Sequence, residues 1–349
     1  MRLAFVSLET THHRRTETNQ RFRDVYTGLT DRGHDVHVVC ASFWSDTEPT
    51  VDRGGITYHG ASITPGARRS FLSRLPFVLR SIGPDVIHVN AEPPGQVRAG
   101  RWGSALTGAP VFLEWYGDGG SPDDGVHRRM VDRADRIVTP SRLVRTNVRE
   151  LEADADRVEV IPNPIDVERI RAVDPADPVD VVYARRLDEG ANVESLLLAL
   201  AELRSREWTA TVVGDGPERG TYERLASDLR IDDRVTFAGD LEEDDRIAIY
   251  RGAHVFVQTA RRCVFPTELL RALAAGCVGI VEYHVDSSAH ELVEGRKRGF
   301  RTTSEDELAS AIVEAGGLEH REYDDSFSGY DRRTVIEQYV RSYRDLVET

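Results

Sequence analysis

Lysine is almost missing from this chain: of 45 basic residues only Lys297 is lysine, and the rest are arginine. A GC-rich genome would explain that preference, but not 59 acids against 45 bases and a net charge of −14. A self-repelling acidic surface is tolerated where salt is dense, because the screening length falls to about 3 Å near 1 M. The cytoplasm of an extreme halophile is therefore the expected setting, and the acid excess argues against nucleic acid as a partner. Cysteine is scarce too. Cys40, Cys263 and Cys277 are odd in number, widely spaced and form no C-x-x-C pair, which argues against a disulfide framework or a zinc site and leaves reduced thiols. No apolar run approaches the ~20 residues of a membrane span, and the start MRLAFVSLETTHH lacks the apolar core and cleavage site of a signal peptide. A cytoplasmic location follows as the expectation.

What is present is a repeating α/β pattern, in a chain of 349 residues that suits two domains of roughly 150 residues each. RLAFVSL (2–8) is an apolar run of strand length; a helical stretch from about 19 to 32 ends at Gly33, and VHVVCA (36–41) follows as a strand. Strand, helix, glycine turn, strand is a βαβ unit, which implies a parallel sheet covered on both faces. PDVIHVN (84–90), PVFLEWY (110–116), DRIVTPS (135–141) and VEVIPN (158–163) continue the strands. The Pro- and Asp-rich stretch 166–180 breaks the pattern and is the expected linker, giving domains at 1–168 and 178–331. A second sheet is expected from strands at 179–187, 208–216, 233–241, 254–260 and 278–283, with helices at 195–205, 222–230 and 267–276. The amphipathic tail 332–347 reads as a helix expected to pack back on the first domain.

Four segments, VIPNPID (160–166), VVGDGPE (212–218), DRVTFAGDL (233–241) and ELLRALAAGCVGIVE (268–282), stand in an order and spacing that resembles the donor-binding half of family-4 glycosyltransferases. RGHDVHVV (32–39) and PDVIHVN extend the resemblance over nearly the whole chain. It implies the GT-B fold, two Rossmann-like α/β domains facing each other across a cleft, and retaining transfer from a nucleotide-diphosphate sugar without metal or other cofactor. The residues fit that chemistry. Gly214 and Gly216 end a strand and allow close backbone approach, or serve simply as a strand-ending turn. Pro266 and Thr267 open a helix whose N–H groups and dipole favour an anion, and in the family this start receives the donor diphosphate. Arg186 falls where the family places an arginine on the same diphosphate, and the FAGDL loop (237–241) where it contacts the base.

The departures from the family pattern are as informative. Cys263 and Arg271 occupy the positions of two glutamates, Ala191 that of a lysine, and Tyr116 that of a histidine beside the transferred sugar; TTHHRRTETN (10–19), with Arg14 and Arg15, replaces a Gly-Gly loop. Arg185 and Arg271 are the candidate replacements for the lost cation. Glu268 either takes over a hydroxyl contact or simply favours the helix dipole. The donor side is thus expected at Arg185, Arg186, Gly214, Gly216, Pro266, Thr267, Glu268 and Arg271, the acceptor side at Tyr116, Arg14 and Arg15, and the exchange of acids for arginines would favour an acidic sugar. Asp123–Asp124 and Asp244–Asp245 read as solvated surface, so no metal is expected. Residues 65–83 carry four arginines and no acid, interleaved with apolar residues. They either pack as a helix on the first sheet or touch anionic lipid, bringing the chain to a glycan or lipid-linked acceptor on the cytoplasmic membrane face. The rival expectations are an inactive GT-B module serving as a sugar-binding or partner subunit, and a sugar-nucleotide epimerase of similar plan.

Overall fold

The computed structural model describes residues 1–45, 48–117 and 124–348. The chain divides into two compact units, Met1–Pro164 with Arg332–Thr349, and Ile165–Asp331.

The first unit is built on strands β1 (Arg2–Val6), β2 (Asp35–Ala41), β3 (Thr50–Arg53), β4 (Ile56–Ser62), β5 (Val86–Asn90), β6 (Val111–Glu114), β7 (Arg136–Thr139) and β8 (Val158–Val160), with helices α1 (Glu17–Thr30), α2 (Arg68–Ile82), α3 (Gly95–Thr107), α4 (Asp124–Val131) and α5 (Arg142–Glu150). The sheet runs β3-β4-β2-β1-β5-β6-β7-β8, parallel except for the β3–β4 pair. Leu3 is paired with Val36 on one side and Val86 on the other, so β1 lies at the centre. Burial on both faces is why its strands read as unbroken apolar runs rather than alternating ones. Thr16 caps α1 by accepting the Asn19 N–H, satisfying one of the first-turn donors.

The second unit carries β9 (Val179–Ala184), β10 (Ala210–Val213), β11 (Val235–Gly239), β12 (Ala253–Gln258), β13 (Arg262–Cys263), β14 (Val278–Glu282), β15 (Asp286–Ser287) and β16 (Gly299–Thr302). Its helices are α6 (Val167–Ala172), α7 (Val193–Glu202), α8 (Arg219–Asp228), α9 (Glu243–Gly252), α10 (Thr267–Ala274), α11 (His290–Val293) and α12 (Glu305–Gly316). Six strands form a parallel sheet ordered β11-β10-β9-β12-β14-β16, while β13 and β15 make a separate two-stranded ladder. The last helix, α13 (Arg332–Val347), belongs to the first unit and packs on α1, with Ile336 against Gly28.

The boundary differs from the expected one. Residues 166–180 are not an open linker: Asp166 accepts the Arg169 N–H as the cap of α6, and Ile170 is buried in the core of the second unit. A capped turn of helix with one anchoring apolar residue looks like a linker in composition. The β3–β4 hairpin was also unexpected, although its turn, Gly54–Gly55 with φ +60 and +77, has the two positive φ values of a type I′ turn.

Candidate functional site

In an open parallel sheet, ligands bind beyond the carboxyl ends of the strands, where the strand order reverses. In the second unit β9 leads outward to β10 and β11, and β12 leads the other way to β14 and β16, so the reversal lies between β9 and β12. The loops leaving these two strands are stitched together. Arg261 N–H donates to the Gly190 carbonyl at 3.0 Å, Arg185 Nη1 to the Arg262 carbonyl at 2.9 Å, Asn192 Nδ2 to the Thr259 carbonyl at 3.1 Å, and Thr259 Oγ1 to the Asn192 carbonyl at 2.7 Å. Arg186 stands exposed on this rim.

Gly214 and Gly216 have a structural reason of their own. A Cβ on Gly214, whose φ is +123, would lie 1.9 Å from the Arg185 carbonyl oxygen, and one on Gly216 would lie 2.2 Å from that of Leu187. The loop after β10 therefore rests directly on the loop that carries both arginines. The start of α10 is partly open: Pro266 is buried, Thr267 half-buried, and no side chain caps the helix, although the Thr267 N–H already donates to the Phe265 carbonyl at 3.0 Å.

Glu268 and Arg271 turn toward α9. Arg271 donates to Glu268 at 2.5 Å and pairs with Glu243 at 2.8 Å, while Tyr250 donates its hydroxyl to Glu268 at 2.6 Å. Burial would raise the Glu268 carboxyl, but Arg271 and Arg246 outweigh it and hold it below the usual range. With two carboxylates on its guanidinium, Arg271 adds little positive charge for an anion, so the charge argument for an acidic sugar loses one of its cations. Asp244 pairs with Arg169 at 2.6 Å, whereas Asp123 and the side chain of Asp124 lie outside the described residues. Among the described residues, no three His, Cys, Asp or Glu side chains are grouped to hold a metal.

The first unit repeats the geometry. Its order reverses between β1 and β5, and there a cavity of about 340 Å³ opens, lined by Ser7, Glu9, Arg14, Thr16, Asn19 and Arg68 among others, with Asn90, Glu92 and Pro93 from the β5 end. Arg14 is in the wall, while Arg15 and Tyr116 are not. Tyr116 is only 1 % exposed: its hydroxyl donates to Glu17 at 3.1 Å and accepts from Asn163 at 3.2 Å, so the acceptor-side position expected for it is a buried strut. Asn163 leads to a sealed ion pair, where Arg21 donates to Glu114 at 2.8 Å, to Asn163 at 2.7 Å and to the Tyr339 hydroxyl of α13 at 2.6 Å. Glu114 also accepts from Tyr339 at 2.9 Å and His88 Nε2 at 3.2 Å. Burial lowers the His88 pKa against the pull of Glu114, so the ring is neutral with its proton on Nε2, and Nδ1 faces the Tyr343 hydroxyl at 2.7 Å.

Comparison with known proteins bears on both units. Residues 16–164 match the family described as "Glycosyl transferase 4-like domain" and residues 166–330 the family "Glycosyl transferases group 1". Each unit thus carries a glycosyltransferase-family domain. The chain is 29% identical over 212 residues to a GDP-mannose-dependent alpha-(1-6)-phosphatidylinositol monomannoside mannosyltransferase of Mycobacterium tuberculosis, over 54% of either chain. It thus spans about half the length of the curated relatives it matches. A glycosyltransferase from Rickettsia africae shares the fold with a TM-score of 0.82 at 14% identity, over 99% of this chain and 98% of that one. An Anabaena protein, HepE, solved with UDP and glucose, has a TM-score of 0.72 at 18% identity, over 99% of this chain and 100% of that one. These likenesses establish the GT-B fold. In the group 1 domain Ala191 is wholly buried, its methyl in the core around Tyr183. Cys263 is buried against Gln258, whose Nε2 lies 3.7 Å from the sulfur. Gln258, Asn192 and Glu282 also stand on the rim, Asn192 Nδ2 reaching Glu282 at 3.2 Å. None of the three was singled out from sequence; each is the last residue of a strand or loop at or beside the reversal, a signal that needs the strand order.

Proposed function

We propose that the chain moves a sugar from a nucleotide-diphosphate sugar to a hydroxyl acceptor, with retention, in glycan or glycolipid assembly in the cytoplasm of a halophile. The observation that carries this reading is the stitched pair of loops after β9 and β12, which ties Arg185 to Arg262 in the strand that leads into α10, with exposed Arg186 next in the chain. The physical task is to stabilise a departing diphosphate. An exposed guanidinium can hold its oxygens in a fork, and the helix start adds N–H donors and its dipole, so no metal is needed. The cavity at the β1–β5 reversal, rich in hydroxyls and amides with Arg14 and Arg68, suits a polar acceptor. The phosphatidylinositol mannoside named for the mycobacterial relative supports a lipid-linked one, reached with 65–83 at the membrane face.

The test is turnover of UDP- and GDP-sugars in molar KCl. Arg186→Ala should lower kcat/KM ten- to a hundredfold, the size of one charge-assisted contact. If the folded protein neither transfers nor hydrolyses any sugar nucleotide, the inactive sugar-binding or partner module stands instead, a reading that Cys263 and Ala191 favour.

A further inference from the structure

The outer face of α2 and α3 differs from the rest of the protein in both charge and polarity. In a chain with 59 acids, none stands between Asp52 and Asp85 or between Glu92 and Glu114. Burial of Phe71, Leu75, Leu79 and Ile82 fixes the inner side of α2. Helical spacing then puts Phe77, 69 % exposed, at the middle of the outer side, with exposed Arg74 to one flank and exposed Arg69 and Arg80 to the other. Next to it lies α3, with Leu72 against Gly95 and Leu79 against Gly103. The outer side of α3 presents Trp102 and Leu106, 55 % and 43 % exposed, and Arg98 stacks over the Trp102 ring at 5.0 Å. Just before α2, Ile63 is 81 % exposed. Among the described residues these are four of nine exposed large apolar side chains, three on one two-helix layer and Ile63 in the segment that leads into it. Packing on the sheet uses the opposite stripe and gives no reason for Phe77 or Trp102.

We propose that this face docks on an anionic lipid bilayer, with Phe77 and Trp102 entering the interface and Arg69, Arg74, Arg80 and Arg98 meeting lipid phosphates. Aromatic rings favour the headgroup level, and guanidinium groups match phosphate oxygens. Charge complementarity selects the occupant: an acidic protein is repelled by an anionic membrane on its other faces, so this acid-free layer sets its orientation. In molar salt the arginine attraction is screened within about 3 Å, and the apolar anchors must carry the contact. Arg68, the first residue of α2, lines the cavity at the β1–β5 reversal, and Pro93 of the same wall leads into α3. Docking would bring that cavity to headgroup level. The inference rests on the proposed transfer only for its purpose, to present a lipid-linked acceptor.

The experiment floats the full chain with phosphatidylglycerol or phosphatidylcholine vesicles, without donor, at 0.1 M and 1 M KCl. Binding to phosphatidylglycerol should exceed that to phosphatidylcholine at least tenfold at the lower salt. Phe77→Ser with Trp102→Ser should lose roughly tenfold or more at both salts. Arg69→Gln with Arg74→Gln should lose roughly twentyfold at 0.1 M and little at 1 M. Fluorescence of Trp44→Phe gives a reading that leaves the face intact: Trp115 and Trp208 are buried, so brominated lipid should quench Trp102. Absence of flotation and quenching at both salts, or equal binding to the two lipids at 0.1 M, overturns the proposal. So does a self-association in solution that the Phe77/Trp102 variant abolishes, since a second copy would then cover the face. Turnover of a soluble acceptor alongside any of these failures would leave the transfer reading standing.

Discussion

Replacing Glu114 with glutamine should destabilise the protein more than any exposed substitution, because it strands a guanidinium in the core. The side chains of Arg21 and Glu114 are 0 % and 1 % exposed, so no water can replace the lost charge. Breaking a buried pair by removing one partner costs about 3–5 kcal/mol. A second route gives the same order. Burial would raise the Glu114 carboxyl, but Arg21 and then His88 bring it down from 4.5 to about 2, a difference worth about 3 kcal/mol. Against folding stabilities of about 5–15 kcal/mol, this should lower the melting temperature by roughly 10 °C. The pH dependence adds a signature. A carboxyl held low in the fold contributes its full stability above about pH 4.5 and loses it as pH falls toward 2, so wild type should weaken through that window and Glu114→Gln should not show that part of the decline. His88, held below 6.5 by burial, adds a loss of stability as pH falls below about 6.5. Thermal and urea unfolding at several pH values in KCl would read both. A variant melting within 1–2 °C of wild type, with the same acid slope, would refute the reasoning.

Gly216→Ala should cost about 1–3 kcal/mol by forcing apart the loops after β9 and β10, and calorimetry should show weaker nucleotide binding with it. Glu268→Gln should lower the melting temperature by several degrees, since Arg271 and Tyr250 lose a charged partner, yet leave the Kd for nucleotide within about threefold; a tenfold rise would place Glu268 on the ligand. Tyr116→Phe removes one strut and should cost about 1 kcal/mol with kcat changed less than twofold, whereas a tenfold loss of kcat would put its hydroxyl beside the sugar.

Strands buried on both faces were the most legible part of the fold, because runs such as Val36–Ala41 need no context to be read. The helix Arg332–Val347 was readable from its amphipathic pattern. What stayed hidden depends on neighbours far apart in sequence. Arg271 looked like a free cation because Glu243, 28 residues away, is brought to it only by the packing of α9 on α10. Tyr116 looked like a replacement at the acceptor side, but Glu17 and Asn163 claim its hydroxyl across 99 and 47 residues. The cavity lies where two loops separated by more than 70 residues converge at the β1–β5 reversal, which only the strand order reveals. The Gly54–Gly55 turn is the opposite case, a local signal present in the sequence and passed over.

The claim that the second unit holds a nucleotide diphosphate where the β9 and β12 loops meet is tested most directly by hydrogen–deuterium exchange with and without UDP or GDP. Slowed exchange confined to the amides of 185–192, 214–218 and 264–270, and needing ten- to a hundredfold more nucleotide in Arg186→Ala, is the expected result. Unchanged exchange in those three segments at saturating nucleotide, or protection appearing elsewhere in the unit, would contradict it.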